Sequence, residues 1–451
     1  MKEYNFDSLE TLLSEGQFQQ LRLELSEINE VDIADFLQEQ EPKQMAKVFR
    51  ILPKDLSADV FPKLEPESQE AIVSSITDKE VGYLFEDLFL DDAVDFLEEV
   101  PANVVTRVLN NASPDTRKMI NTFLKYPEDS AGSIMTNEFI ALHDSLTVRL
   151  AIDQIRSTGE TKASIYTAYV IDEGRHLEGT IELSELIFHQ PDELICDIMD
   201  DEHQLIYVQT LDDQEEVAEV VKKYDLINVP VVDKETRLVG IVTIDDVVDI
   251  LQEEATEDIE KMAAIMPTDK PYMKVGIWET YKKRMPWLLF LMISATFTGA
   301  IITKYESALS TCVMLTAYIP MLMDTGGNAG SQASVSVIRG LSLGDVLFSD
   351  TLKVVWKEFR VAFICGLTLA GANYLKLVFL EKTAPGIAAV VCITLILVVV
   401  FAKMIGCILP ILAQKIKLDP AVMASPLITT IVDAVSLMIY FALATEVLGI
   451  A

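Results

Sequence analysis

Positive charge, histidine and cysteine are all scarce in this chain. Its 451 residues carry 36 Lys and Arg against 70 Asp and Glu, a formal net charge of −34 at pH 7, with four His and five Cys. Such an acidic balance repels nucleic acid and anionic headgroups and attracts counter-cations, divalent ones above all. Cys312, Cys365, Cys392 and Cys407 fall in apolar runs and Cys196 stands alone. Neither a disulfide framework nor a thiolate metal site is therefore expected. His143, His176, His189 and His203 show no metal spacing and read as surface or structural residues. A P-loop, a nucleophile elbow and a His-metal motif are all missing, which argues against an enzyme. The stretch "MKEYNFDSLE" has no basic region followed by an apolar run, so no cleaved signal peptide is expected and the acidic half should stay cytosolic.

What charge there is lies unevenly. Residues 271–451 hold 14 Lys and Arg and 10 Asp and Glu, net +4, leaving 22 and 60, net −38, for residues 1–270. From Trp287 onward the apolar runs reach the roughly 20 residues of helix that a hydrocarbon layer needs. Five spans are expected, near 286–303, 310–338, 354–380, 386–413 and 421–448. Lys282, Lys283 and Arg284 precede the first; Arg339, Lys353, Lys357 and Arg360 join the second and third; Lys415 and Lys417 join the fourth and fifth. All three basic groups then lie on one side, which places the acidic half inside the cell and the C-terminus outside. A different arrangement stays open at 310–338, where "MLMDTGGNAGSQAS" could turn back as a re-entrant segment and leave four spans.

The acidic half divides by pattern. Residues 1–130 have apolar side chains at three- and four-residue spacings, with Pro42, Pro53, Pro66, Pro101 and Pro114 reading as helix stops. "DIADFLQEQEP" from Asp32 and "DAVDFLEEVP" from Asp92 echo at a spacing of 60, which suggests stacked helical hairpins in a short all-α superhelix. Residues 131–252 contain a clearer repeat, "YVIDEGRHLEGTIELSELI" from Tyr169 against "PVVDKETRLVGIVTIDDVV" from Pro230. Each reads strand, turn, strand, helix, after an Ile-Met step at Ile134 or Ile198. The pair, about 131–196 and 197–252, resembles tandem CBS modules, an α/β regulatory fold. In that family a Thr-x-x-Asp step commonly contacts the ribose of an adenine nucleotide. Thr243 and Asp246 fit the step, whereas Glu182 to Glu185 in the first copy does not. ATP at the second module and an empty structural module both remain open.

Carboxylates crowd the second module and the segment after it: Asp213, Glu215, Glu216 and Asp225, then Asp245, Asp246, Asp249, Glu253, Glu254, Glu257, Asp258 and Glu260. On a continuous helix, 246, 249, 253, 257 and 260 form one acidic stripe, which destabilises an isolated helix. A solvated face is the bland reading. The alternative is a set of loose oxygen sites for Mg²⁺, which keeps several waters and touches one or two carboxylates. No EF-hand loop pattern is present, which speaks against a dedicated Ca²⁺ site.

An acidic helical domain, tandem CBS modules, an acidic connecting helix over 246–270 and five spans over 271–451 together resemble the MgtE family of magnesium channels. The membrane motifs "PMLMDTGGNAGSQAS" and "LDPAVMASPLITTIVDAVSL" carry that likeness most specifically. The resemblance implies a multi-pass homodimer in the plasma (inner) membrane, with the pore on its two-fold axis between the second and fifth spans of both chains. It implies Mg²⁺ as both substrate and regulator, internal Mg²⁺ closing the pore by bridging the N-terminal domain, the CBS modules and the connecting helix. Asp433 is then the pore carboxylate, with Thr429 and Pro426 on its helix face; Pro426 is expected to free the carbonyl of Val422. Should Asp433 instead be paired within the membrane, Lys376 or Lys403 would be the partner. Gly326, Gly327 and Gly330 read as close-approach positions on the pore axis, or as plain helix packing, with Asn328 offering an amide to a hydrated cation. The family pattern points to Asp59, Asp91, Asp95, Asp213, Glu215, Asp225, Asp246, Asp249, Glu254, Glu257 and Asp258 as the Mg²⁺ sensor. The adjacent pairs Asp91–Asp92 and Asp245–Asp246 leave the register open by one residue. A coupled divalent-cation transporter (Na⁺/Mg²⁺ exchange or Co²⁺ uptake) and a CBS-gated anion channel are the rival functions, the second disfavoured by an acidic pore.

Overall fold

The computed structural model describes residues 6–200, 205–268, 272–273, 275–423 and 425–449. His203 and the expected boundary at 270/271 lie outside the described residues. The chain divides into two compact units, residues 1–251 and 252–451.

In the first unit, ten short helices run from Asp7–Ser14 to Pro114–Phe123 among the described residues. The prolines start these helices rather than stop them. Pro42, Pro66 and Pro114 occupy the first helical turn, and Pro53 and Pro101 the position just before it. The N–H that proline lacks would find no intrahelical partner there, and its fixed φ suits a helix start. The two echoed segments fall on the helices Glu30–Gln38 and Leu90–Glu99, where Phe36, Leu37, Phe96 and Leu97 are all buried. Phe61 joins the rings of Phe49, Phe85 and Phe96 in mostly edge-on contacts, so one aromatic cluster holds several hairpins together.

The two α/β modules are alike. In each, a first strand pairs parallel to a second, and the second antiparallel to a third: Ile140–His143, Thr167–Ile171 and Leu177–Glu182, then Val208–Gln209, Asn228–Val232 and Leu238–Thr243. Their Ile-Met steps are exchanged. Thr136 bridges to Ile241 in the second module's sheet, and Asp200 to Thr180 in the first module's sheet. This exchange explains the repeated glycines. A Cβ on Gly240 would sit 2.6 Å from the Met135 sulfur, and one on Gly179 would sit 2.5 Å from the Asp200 carbonyl oxygen. The last strand of the second module leads directly into the helix Ile244–Met262.

Five long helices dominate the second unit: Ile277–Lys304, Ile319–Ser342, Thr351–Leu375, Pro385–Lys415 and Ser425–Leu448. The third continues as a π turn to Leu380. Among the described residues four of these are long and apolar enough to cross a membrane; the exception is the second, Ile319–Ser342. It is nonetheless one unbroken 24-residue helix, roughly 36 Å long. The expected segment at 310–338 is therefore this continuous helix, preceded by the short turns Glu306–Thr311 and Val313–Tyr318 and without a chain reversal at the glycines. Its low apolarity has a packing reason. Gly326, Gly327, Ala329, Gly330, Ala333 and Ser334 are buried against neighbouring helices, so protein replaces lipid around them.

The glycine run thus supports close helix packing. A Cβ added to Gly326 would meet Val398, Val432 and Ser436, and one on Gly330 would meet Ile428 and the Ala402 carbonyl. Gly406 of the fourth helix lies directly on the Gly330 carbonyl. Backbone cannot yield as a flexible side chain can, so Gly406→Ala should lower the thermal midpoint of the full-length protein by roughly 5–10 °C. Size-exclusion after a heating series measures this; an unchanged midpoint would mean that the helices separate without cost.

Candidate functional site

The helix Leu90–Glu99 carries Asp91, Asp92 and Asp95, spaced so that 91 with 95 and 92 with 95 share a face. The structure brings this acidic patch to the first turn of the helix Ile244–Met262, where Asp245 and Asp246 lie. Burial dominates the proton affinity of these carboxyls. It raises Asp92 to about 7, with Asp246 adding to the rise and Lys63 opposing it. Asp95 keeps an open edge to solvent, yet the protein packed around its carboxyl, with Asp92 and Asp246, pushes it up to about 8. Asp246 rises to about 6 through burial and the neighbouring Asp245 and Asp249, although a hydrogen bond from the Thr243 hydroxyl pulls the other way. Asp91 is raised well above the usual carboxylate range by burial, Asp92 and Asp246, and its Oδ1 is buried with no hydrogen-bond partner.

These groups share poorly compensated negative charge, because Lys63 is the one cation among the main influences on them. An isolated buried charge usually takes up a proton or a counter-ion. Among the described residues no three His, Cys, Asp or Glu side chains converge closely enough to grip a bare metal ion. The orphaned Asp91 oxygen and the all-carboxylate donor set suit an ion that keeps its water and reaches oxygen through it.

The other expected sensor residues are placed differently. Asp59 lies with Glu30 and Asp55, which together with burial raise it, and so belongs to a separate acidic spot. Asp213 caps the helix Gln214–Tyr224 by accepting from the Glu215 N–H at 2.9 Å, and Asp225 ends the same helix in a left-handed conformation, φ +52°. Local backbone geometry accounts for both. Asp249 acts on Asp246 from the next helical turn. Glu254 is half-buried on the same helix. Glu257 and Asp258 belong to the second unit, where Lys261 bridges Glu257 at 2.6 Å and Asp419 at 2.7 Å. Asp258 is raised by burial and by Asp419, against the pull of Lys261.

One participant is left open by the sequence alone and another escapes it. Asp92 stands one residue from Asp91, and only packing shows that both face the cluster. Asp419 opens the quoted motif "LDPAVMASP", yet nothing in its spacing announces Lys261 as a partner. Of the histidines, His176 pairs with Asp172 at 2.9 Å and His189 with Glu193 at 2.6 Å, both outside these clusters.

A second polar feature lies in the membrane helices. Asp433 is half-buried on the helix Ser425–Leu448, and the charge acting on it is Asp324 of the helix Ile319–Ser342. Lys376 and Lys403 are engaged elsewhere, with Glu381 at 2.9 Å and Glu358 at 3.7 Å. Thr429 packs on Gly327, whose added Cβ would lie 3.1 Å from the threonine methyl. The Thr429 hydroxyl donates to the Pro426 carbonyl at 3.0 Å. Pro426 sits in the first turn of its helix, so it frees no carbonyl at Val422; the missing N–H would have been unpaired in any case. Asp324, Asn328 and Gln332 are exposed at four-residue intervals, forming one polar stripe beside Asp433. Facing lipid, such a stripe would be costly, which points it toward water or another chain.

Comparison with known proteins covers nearly the whole chain. Residues 319–443 match the profile of the MgtE "Divalent cation transporter" family, residues 28–129 that of the "MgtE intracellular N domain", and residues 195–253 the CBS domain. A magnesium transporter MgtE of Thermus thermophilus is 35% identical over 448 residues, 98% of each chain. One from Bacillus subtilis is 32% identical, covering 96% of this chain and 95% of its own. Among solved structures, the soluble part of a magnesium transporter aligns with 55% of this chain and 98% of its own, TM-score 0.53 at 30% identity. The cytosolic domain of the Mg²⁺ channel MgtE in complex with ATP aligns with 54% of this chain and 98% of its own, TM-score 0.51 at 36% identity.

Proposed function

Since the chain belongs to the MgtE family, a family of transporters and not of enzymes, we propose that it conducts Mg²⁺ through the membrane and closes when internal Mg²⁺ fills its acidic cluster. The observation that carries the gating reading is the convergence of Asp91, Asp92, Asp95 and Asp246 from two helices. Without a cation their repulsion loosens the contact between those helices. With Mg²⁺ the repulsion is screened and the contact tightens, so ion binding and the docked arrangement favour one another. The helix that carries Asp246 also carries Glu257, Asp258 and Lys261, which gives a covalent link between the cluster and the ion-paired group around Asp419.

For the pore, Asp433, Asp324, Thr429, Asn328 and Gly327 are the proposed lining. Two chains facing one another across a two-fold axis would join their polar stripes around water, attract a divalent cation and repel anions. This reading places the protein in the plasma membrane with its acidic half in the cytosol and its C-terminus outside. An adenine nucleotide at the second CBS module would be met by Thr243 and Asp246, whose mutual hydrogen bond would have to open for it.

The raised carboxylates give a test with a defined sign. Each binds its proton more tightly folded than unfolded, so the docked state loses stability as pH rises from about 4 through 6 to 8. Hydrogen exchange on the full-length protein should show the helix Leu90–Glu99 less protected at pH 8.5 than at pH 5.5 without Mg²⁺. Millimolar Mg²⁺ should restore protection mainly at pH 8.5, where the carboxylates are ionised. Protection indifferent to Mg²⁺ at both pH values would count against the sensor.

A further inference from the structure

Lys403 interrupts the apolar run "LVVVFAKMIGCILP" of the helix Pro385–Lys415, and Glu358 is the one carboxylate of the helix Thr351–Leu375. Their side chains are only 8% and 13% exposed, and the Lys403 ammonium stands 3.7 Å from the Glu358 carboxylate. Lys357 and Arg360, the neighbouring charges on the same helix as Glu358, are exposed instead. Cys407, one turn beyond Lys403, feels both charges and packs with Val337 and Leu341 of the helix Ile319–Ser342. An ion pair this deep in membrane helices asks for a reason.

Its position supplies one. Lys403 follows Ala402, whose carbonyl oxygen would lie 3.1 Å from a Cβ on Gly330, and precedes Gly406, which sits on the Gly330 carbonyl. Helix axes in such close contact approach to roughly 8 Å, so the backbone of Lys403 stands immediately behind the helix that carries Asp324 and Asn328. Ile428 of the last helix meets Gly330 as well, and Asp433 lies about 7.5 Å of helix rise beyond Ile428. An ammonium so placed opposes a divalent cation passing Asp433, because little water intervenes to weaken its field. Fastening the two helices needs no charge, since buried ion pairs seldom stabilise more than well-packed uncharged side chains do.

We propose that Glu358 is a charge-compensating residue of the Mg²⁺ path: it cancels the field of Lys403, so that a cation approaching Asp433 and Asp324 meets no net positive charge from the helix behind them. The inference rests on the pore reading of Asp433 and Asp324. The two members of the pair act with opposite sign. Lys403 left alone repels Mg²⁺, whereas Glu358 left alone does not, whether it stays ionised or takes up a proton.

The test measures single-protein Mg²⁺ conductance and the thermal midpoint of the full-length protein together. Glu358→Gln should lower conductance about tenfold, Lys403→Gln should leave it within about twofold of the parent, and the double variant Glu358→Gln/Lys403→Gln should return to the parental range. Both single variants should lose thermal stability, since each strands a buried charge, so conductance and not stability separates them. Should Glu358→Gln fail to fold, the exchange Glu358→Lys/Lys403→Glu replaces it. That variant sets the carboxylate behind the helix Ile319–Ser342 and the ammonium one helix further away, and it should conduct at least as well as the parent. Equal losses in both single variants, a double variant as poor as Glu358→Gln, parental conductance in folded Glu358→Gln, or a folded exchange variant that conducts about tenfold less would overturn the assignment. Asp433→Ala measured alongside keeps the two readings apart. Parental current in Asp433→Ala removes the pore reading, whereas a silent Asp433→Ala beside an unimpaired Glu358→Gln removes the compensating role alone.

Discussion

Replacing Asp433 by alanine is expected to reduce Mg²⁺ flux at least about 100-fold while the protein remains folded and of unchanged oligomeric size. A carboxylate inside a membrane helix is unfavourable unless it meets water or a partner. The lysines that could neutralise Asp433 are engaged with Glu381 and Glu358, and the charge acting on it is another carboxylate, Asp324. Removing one of the two carboxylates on each chain takes away a long-range attraction that a hydrated Mg²⁺ feels without losing its water. A 100-fold loss corresponds to about 2.7 kcal/mol, modest beside the interaction of a divalent ion with two carboxylates at close range. Currents from the full-length protein in planar bilayers under a MgCl₂ gradient measure the effect. Single-protein currents in the parent also separate conduction from coupled exchange, whose turnover is carrier-like, and the reversal potential gives the sign of the permeant ion. Asp433→Glu should retain partial flux, and Asp324→Asn should lie between the two. Unaltered conductance in Asp433→Ala would remove this residue from the path.

The second large effect is expected from Asp92→Asn, Asp95→Asn and Asp246→Asn together. Asparagine keeps the shape and, at position 246, still accepts from the Thr243 hydroxyl. It removes three carboxyls that burial lifts to between about 6 and 8, with Asp246 adding to the rise of Asp92 and Asp95. Docking and ion response should then move in opposite directions. Without Mg²⁺ the two helices should dock more tightly, seen as slower hydrogen exchange over Leu90–Glu99, because the repulsion is gone. Closure by internal Mg²⁺ should meanwhile require at least about tenfold more ion, about 1.4 kcal/mol, because the binding charge is gone too. A merely structural role would move stability alone. Closure at the parental Mg²⁺ concentration would sink the sensor.

Much of the architecture is legible in the residue order. Apolar runs after Trp287 mark the long membrane helices, because a hydrocarbon layer imposes a length that few other environments require. The repeat from Tyr169 to Pro230 marks two copies of one α/β module, since each copy must alternate buried and exposed side chains in the same way. The prolines of the N-terminal domain mislead about where its helices begin and end, because proline excludes a helix interior but suits a first turn, and spacing alone does not distinguish the two sides. "MLMDTGGNAGSQAS" misleads for a related reason when it suggests irregular backbone. Glycine weakens an isolated helix, yet here neighbouring helices press against Gly326, Gly330 and Gly406 closely enough to require it.

The sequence by itself determined the kind of protein: an acidic soluble half, a membrane half, and a carboxylate, Asp433, where lipid would penalise one. Those properties are sums and periodicities along the chain, and they need no partner to be read. Only the tertiary structure decided which carboxylates act together. Asp91, Asp92, Asp95 and Asp246 became one cluster, Asp59, Asp213 and Asp225 did not, and Asp419 and Asp324 came to lie beside Lys261 and Asp433. Electrostatic coupling depends on distance and burial across about 150 residues of intervening chain, and the fold sets both.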